Sequence, residues 1–153
     1  MNVFDAVDMT GPKFEVVIER GKVMELARAS GSSQPAYLDH PSPVVPPTYL
    51  ASVAYLWGYT FEYPGNTLFA DVELDRALLL HGGEECEFFG PPPRAGTRLI
   101  AQPRIADVQR KQGRKGGQFT LITAETTFTN PAGERVAVTR TTYVHTEEAP
   151  DGE

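Results

Sequence analysis

The chain has 153 residues, 41% of them hydrophobic and 22% charged, which suits one globular core and leaves too little for a second. Fourteen basic against twenty acidic residues give a formal net charge of −6, which excludes a general coat for nucleic-acid phosphates. The single cysteine, Cys86, has no partner in the chain and too few companions for a zinc cluster, so no metal is expected and a reducing cytosol is the expected compartment.

The N-terminal MNVFDAVDMTGPKF lacks a basic cap followed by an apolar run. No stretch approaches the ~18 apolar residues of a membrane helix, so neither an export signal nor a membrane span is expected. One folded domain is expected over 11–146, with flexible tails at 1–10 and 147–153; the second of these contains EEAPDGE, which has almost no apolar surface to bury.

In chain order, Phe14 to Ile18 is short and β-rich, and ERGKVMELARAS then places Val23, Met24, Leu26 and Ala27 near helical spacing. GSSQPAYLDHPSPVVPP is crowded with Gly, Ser and Pro, which ends the helix and predicts a structured loop. From Pro47 to Gly58, apolar groups at Tyr49, Leu50, Val53, Ala54, Leu56 and Trp57 predict a helix buried on most sides, with Gly58 as its C-terminal cap.

After a weakly patterned stretch through Phe69 and Leu74, four β-like segments follow: Ala77 to Phe89, Thr97 to Gln109, Gln118 to Asn130 and Glu134 to His145. Their separators, GPPPRAG, KQGRKGG and NPAG, are turn sequences, so the second half reads as an antiparallel meander. The class is α+β, and a sheet wrapped around the apolar helix is the simplest way to bury that helix.

Four segments carry a resemblance: FEVVIERGKVMELARASG, PVVPPTYLASVAYLWG, LHGGEECEFFGPPPRAGTRL and TFTNPAGERVAVTRTTYV. Over nearly the whole chain they resemble the MaoC-like dehydratase family, in particular its N-terminal-half, FAS1-like type found in (3R)-hydroxyacyl-thioester dehydratases. The resemblance implies a hotdog fold, a substrate carried on CoA or phosphopantetheine with no further cofactor, and a hydro-lyase reaction.

Catalytic members of that family carry Asp-x-Asn-Pro-x-His before the hotdog helix. Here the loop reads Ser32-Ser33-Gln34-Pro35-Ala36-Tyr37, with Ser32 at the Asp position and Tyr37 at the His position. Dehydration of a 3-hydroxyacyl thioester removes the α-proton and protonates the β-hydroxyl, which calls for a base titrating near neutrality, and neither an alcohol nor a phenol does. The resemblance therefore implies a subunit that pairs with a catalytic MaoC-like hotdog chain, as a heterodimer or heterotetramer, or with a copy of itself.

Other candidates have two readings each. Pro46-Pro47-Thr48-Tyr49 at the helix start is either a cap or, through backbone N–H groups, an oxyanion site for the thioester; two prolines remove donors and favour the cap. His81, beside Gly82 and Gly83, reads first as a strand histidine at a bulge and second as a residue of the pocket rim. Glu84, Glu85 and Glu87 alternate, so Glu85 and Glu87 share a face away from Glu84 and form no converging acid/base pair.

Arg110, Lys111, Arg114 and Lys115, with Arg104 nearby, are either a dock for coenzyme phosphates or an acidic acyl carrier protein, or a solvated hairpin tip. Tyr59, with Phe61 and Tyr63, is expected at the acyl pocket or an interface. Two further functions compete. A hotdog thioesterase would draw its carboxylate from Asp39 or Glu62, and a non-catalytic subunit would bind an acyl chain or carrier protein without turnover.

Overall fold

The computed structural model describes residues 1–55, 67–114 and 117–146. In chain order it contains β1 (Phe14–Val17), α1 (Arg20–Ala29), α2 (Pro35–Leu38), α3 (Tyr49–Val53), β2 (Leu79–Phe88), β3 (Arg98–Gln112), β4 (Gln118–Thr129) and β5 (Arg135–Thr146). Short 3-10 turns occupy Val3–Ala6 and Arg76–Leu78. The five strands form one antiparallel sheet in the order β1-β3-β4-β5-β2.

Strand alternation sorts the side chains. Ile122, Ala124, Thr126 and Phe128 of β4 and Ala137, Thr139, Thr141 and Tyr143 of β5 are buried on one face, while Glu125 and Arg140 lie opposite each other on the other. α3 packs on the buried face against β2 and β5. Its Tyr49, Leu50, Ala51 and Val53 are all buried, as the apolar pattern predicted. Full burial of a side chain such as Leu50 or Phe128 stabilises the fold by roughly 1.5–3 kcal/mol. The expected cap Gly58 lies outside the described residues.

The expected meander holds for β3, β4 and β5 but not for β2, which pairs with β5 at the far edge. The Pro91–Pro93 bend explains the difference. Prolines lack the N–H that a tight hairpin needs, and the bend docks instead on the segment before α3, where Val45 N donates to Pro93 O at 3.0 Å and Ala95 N to Pro43 O at 2.9 Å. The chain is thereby carried across the sheet, so that β3 enters between β1 and β4.

Residues 1–10, expected as a flexible tail, are packed. Val3 and Ala6 are buried, Asp8 N donates to Ile105 O at 2.8 Å, and Ile105 N donates to Met9 O at 2.9 Å. The backbone of this segment pairs beside β3, and its two small apolar side chains find the core. The Gly/Ser/Pro loop also contains one helical turn, α2, with Pro35 at a first-turn position where its missing N–H costs nothing. The tail at 147–153 lies outside the described residues. Among those described, no helix is long and apolar enough to cross a membrane.

Candidate functional site

β1, α1 and α3 line a cavity of about 530 Å³ that is open to solvent along its rim. Val16, Val17, Leu26, Ala29 and Val53 supply its apolar wall, Tyr49 and Ser52 its polar groups, and Glu15, Glu19, Lys22 and Glu25 its rim. α1 builds this wall because two stripes run along it. Val23 and Ala27, one turn apart, are fully buried in the core, while Lys22, Glu25, Leu26 and Ala29 form the adjacent stripe and face the cavity. The helix stops where Gly31 adopts φ +73, which a side chain would resist, and Ser32 N donates back to Ala27 O at 2.9 Å.

The rim is predominantly acidic. Lys22 pairs with Glu25 at 3.0 Å, and Glu15 is bonded to Arg98, leaving Glu19 without an ion pair among the described residues. Inside, burial pushes the Tyr49 phenol above its usual 10.0, so Tyr49 is a neutral hydrogen-bonding group and not a base. The Ser52 hydroxyl is already used, donating to Tyr49 O at 2.7 Å. The cavity therefore suits an apolar ligand with few polar anchors.

The residues nominated from the sequence are spread over four places among the described residues. Ser32 and Tyr37 sit in the loop after α1, both half-buried, and neither lines the cavity. The Ser32 hydroxyl accepts from Gln34 N at 3.3 Å, and Tyr37 N donates to Gln34 O at 3.1 Å. Asp39 is exposed at the end of α2 and is not part of the cavity wall either.

At the start of α3, Thr48 is exposed, and the Tyr49 N–H donates to Pro46 O at 3.0 Å. That donor is consumed by the turn, consistent with a cap at this position. Among the described residues, Tyr49 is the one nominated residue on the cavity wall.

His81 and Gly82 lie on β2, where the register with β5 shifts between His81 and Gly83. The His81 side chain is 57% exposed, with Nε2 3.4 Å from Glu84 Oε2 and the ring edge-on to Tyr143. A Cβ on Gly82 would meet Val144 Cγ2 at 2.8 Å and Thr142 O at 3.1 Å, so glycine here permits close approach of the facing strand. β2 meets α3 at Cys86, whose thiol lies by the Ala51 backbone, and His81 is about 16 Å further along the strand. Thr48 and Tyr49 thus belong to a different place from His81 and Gly82.

Arg110, Lys111 and Arg114 are exposed at the β3–β4 turn, with the Arg110 guanidinium 4.9 Å above the Phe4 ring. β3 begins beside the cavity, where Arg98 faces Val17, and reaches Arg110 about 40 Å later at the rise of an extended strand. The basic tip and the cavity are at opposite ends of the sheet. Lys115, Tyr59, Phe61, Glu62 and Tyr63 lie outside the described residues.

Sequence reasoning missed the cavity wall itself. Its signal was available in α1, where Leu26 and Ala29 make a second apolar stripe beside Val23 and Ala27. It also missed the surroundings of Cys86. Burial raises this thiol above its usual 9.0 and nearby Glu84 raises it further, which removes the thiolate a nucleophilic cysteine needs.

The carboxylates of β2 were correctly placed. Arg140 Nη1 bonds Glu85 at 2.6 Å and Glu87 at 3.3 Å, on the outer face, while Glu84 accepts from the Thr141 hydroxyl at 2.8 Å on the inner one.

A family described as the FAS1-like, dehydratase domain region matches residues 7–139. Among curated proteins the chain is similar to a UPF0336 protein of Streptomyces coelicolor, 30% identical over 105 residues, an alignment covering 63% of this chain and 65% of the relative. The matched part thus spans just under two thirds of that protein's length.

Two solved structures share the fold. One is the C-terminally truncated HadBC (3R-hydroxyacyl-ACP dehydratase) complex of Mycobacterium tuberculosis, with TM-score 0.66 and 22% identity over 92% of this chain and 97% of that one. The other is a MaoC-like dehydratase from Rhodospirillum rubrum, with TM-score 0.59 and 14% identity over 94% of each chain.

Proposed function

Because the chain belongs to the FAS1-like, dehydratase domain region family and has the hotdog fold of MaoC-like dehydratases, we propose that it is the non-catalytic subunit of a (3R)-hydroxyacyl-thioester dehydratase, or enoyl-thioester hydratase, working beside a hotdog chain that carries the Asp/His dyad. One contrast carries this reading. The cavity between β1, α1 and α3 has an apolar wall, while the loop positions that the resemblance assigns to the dyad hold Ser32 and Tyr37.

Elimination of water from the 3-hydroxyacyl thioester needs one group to take the α-proton and an acid to protonate the departing hydroxyl. In this chain the Ser32 hydroxyl supports a turn, Tyr49 is held neutral, and Cys86 is held as the thiol, so each lacks the chemistry of a base near neutral pH. The cavity's role is then to hold apolar acyl carbon, while its acidic rim disfavours the phosphates of CoA or phosphopantetheine. The thioester end belongs beside the partner's dyad.

The test is hydration of crotonyl-CoA and longer enoyl-CoA thioesters, followed by loss of the enoyl-thioester absorbance. The chain alone is expected to show no turnover above background, and addition of a catalytic hotdog subunit to give turnover that rises with this chain until the two are equimolar. Hydration by the purified chain alone at rates usual for a dehydratase would sink the proposal. Release of free thiol from acyl-CoA would replace it with a thioesterase.

A further inference from the structure

Of the polar side chains that line the cavity, only that of Tyr49 is buried: Glu15, Glu19, Lys22 and Glu25 are exposed on the rim, and Ser52 is half-buried. Tyr49 is 5% exposed, and it reaches the cavity with its hydroxyl. The phenol oxygen already serves as an acceptor, for the Glu19 backbone N–H beside it. Its O–H has no acceptor among the described residues.

A buried tyrosine hydroxyl ordinarily finds a partner, because a donor taken out of water and left unused is costly. The neighbouring side chains of Val16, Leu26 and Val53 offer none. Ser52, one turn further along α3 on the same face, supplies the complementary group. Its hydroxyl hydrogen is committed to Tyr49 O at 2.7 Å, so towards the cavity the Ser52 oxygen can only accept. An apolar wall with one spare donor and one spare acceptor is the pattern by which a pocket fixes the position of an otherwise featureless chain.

We infer that Tyr49 is a specificity-determining residue, whose hydroxyl donates to an oxygen carried along the apolar chain in the cavity, so that the site prefers an acyl chain with a distal carbonyl or hydroxyl over a plain hydrocarbon one. This rests on the reading of the cavity as an acyl site, and it adds which chains are held there. In that reading the thioester end and its 3-hydroxyl sit beside the partner's dyad, so the oxygen that Tyr49 meets lies further along the chain. A carbonyl there accepts from Tyr49; a hydroxyl can accept from Tyr49 and donate to Ser52.

The probes are undecane, 6-undecanone and 6-undecanol, neutral chains of equal length whose oxygen, where present, is at the midpoint. Binding to the purified chain is read from the fall in their headspace concentration over the protein solution. Tyr49→Phe removes the donor and keeps the ring. It is expected to weaken the ketone and the alcohol about tenfold, the contribution of one hydrogen bond, and to leave undecane within about twofold. The loss on the ketone against that on the alcohol tells which oxygen the site prefers, and a loss confined to either supports the inference.

No loss on either oxygenated probe overturns it. An equal loss on undecane also does so, because it would make Tyr49 a packing residue only, and so does failure of every probe to bind. Should Tyr49→Phe not fold, the wild-type chain decides through 6-methyleneundecane, which has the shape of the ketone without its oxygen. Relative to partition into hexadecane, the protein should enrich the ketone about tenfold over this isostere, and equal enrichment refutes the donor's role. The probes carry no thioester and undergo no reaction, so this inference and the assignment of catalysis to a partner can fail separately.

Discussion

Between Phe14 and Ala29 the apolar side chains are committed, with Val16, Ile18, Val23 and Ala27 in the core and Val17, Leu26 and Ala29 on the cavity wall. Between Ser30 and Tyr37 the polar groups bond mainly to their own neighbourhood: the Ser30 hydroxyl to Leu26 O at 2.7 Å and the Ser32 hydroxyl to Gln34 N at 3.3 Å. The two stretches are adjacent in sequence, yet only the first carries weight in the fold. The buried part of the pocket wall, Val16, Tyr49 and Val53, is protected by the stability it supplies, whereas positions on a self-bonded loop such as Ser32 and Tyr37 can change while the fold stands.

The strongest way to break this comparison is to restore what the loop lacks. Ser32→Asp with Tyr37→His should raise enoyl-CoA hydration by the chain alone on the order of 10²-fold over background, the lower end of what a positioned acid/base pair contributes. Either substitution alone should leave the rate at background, because the reaction needs both proton transfers. If the double variant folds and stays inactive, the loss extends beyond the loop, and the cavity is not a poised acyl site.

Stability offers the next largest contrast. Leu50→Ala empties a fully buried position on α3 and should cost about 3 kcal/mol in denaturant unfolding. Ser32→Ala removes one long hydrogen bond on a half-buried turn and should cost under about 0.5 kcal/mol. Comparable losses at the two sites would show that the loop supports the fold after all.

What could be read from the residues alone follows the same division. The strands and α3 were legible because period-2 and period-3.6 patterns report burial, and Ile122 to Phe128 or Tyr49 to Val53 state theirs plainly. The place of β2 was not legible, since a proline bend docking on Val45 is a long-range contact that leaves no local pattern. The packed N-terminus escaped for a related reason. Val3 and Ala6 are too few to form a period, and their burial depends on β3 lying beside them. Of the site, the departure of Ser32 and Tyr37 from the motif could be read directly, and the cavity wall only in part, through the stripe of Leu26 and Ala29 on α1, because the rest is contributed by β1 and α3.

On the outer face the comparison takes an electrostatic form. The Glu125 side chain is 12% exposed and accepts from Arg104 Nε at 2.9 Å and Arg140 Nε at 2.8 Å, whereas Lys22 and Glu25 pair in open solvent. Burial alone would raise the Glu125 carboxyl, but the hydrogen bonds and positive charges of Arg104 and Arg140 together outweigh it and hold the group below its usual 4.5. A carboxyl depressed in the folded state contributes stability above its unfolded value, and that contribution is lost as pH falls through the lower folded value. Glu125→Gln should therefore cost about 1–2 kcal/mol at neutral pH, discounted for the half-exposed guanidiniums, and should flatten the acid limb of stability against pH. Glu25→Gln should change neither measurably; an unchanged acid limb in Glu125→Gln would show the outer network to be as idle as the solvent pair.

Gly82 and Gly83 repeat the contrast at the scale of one residue. A Cβ at 82 would press to 2.8 Å from Val144 Cγ2 and 3.1 Å from a backbone carbonyl, while one at 83 would meet nothing within 4 Å. Gly82→Ala must displace β5 or deepen the bulge and should cost about 1 kcal/mol, the lower end of overpacking penalties, because the site lies on an edge strand. Gly83→Ala should be neutral or slightly stabilising, since alanine restricts the unfolded chain without a clash. Equal unfolding midpoints for the two would mean that the bulge relaxes freely, and Gly82 would then be available to contact a ligand, as first nominated, with no packing duty to β5.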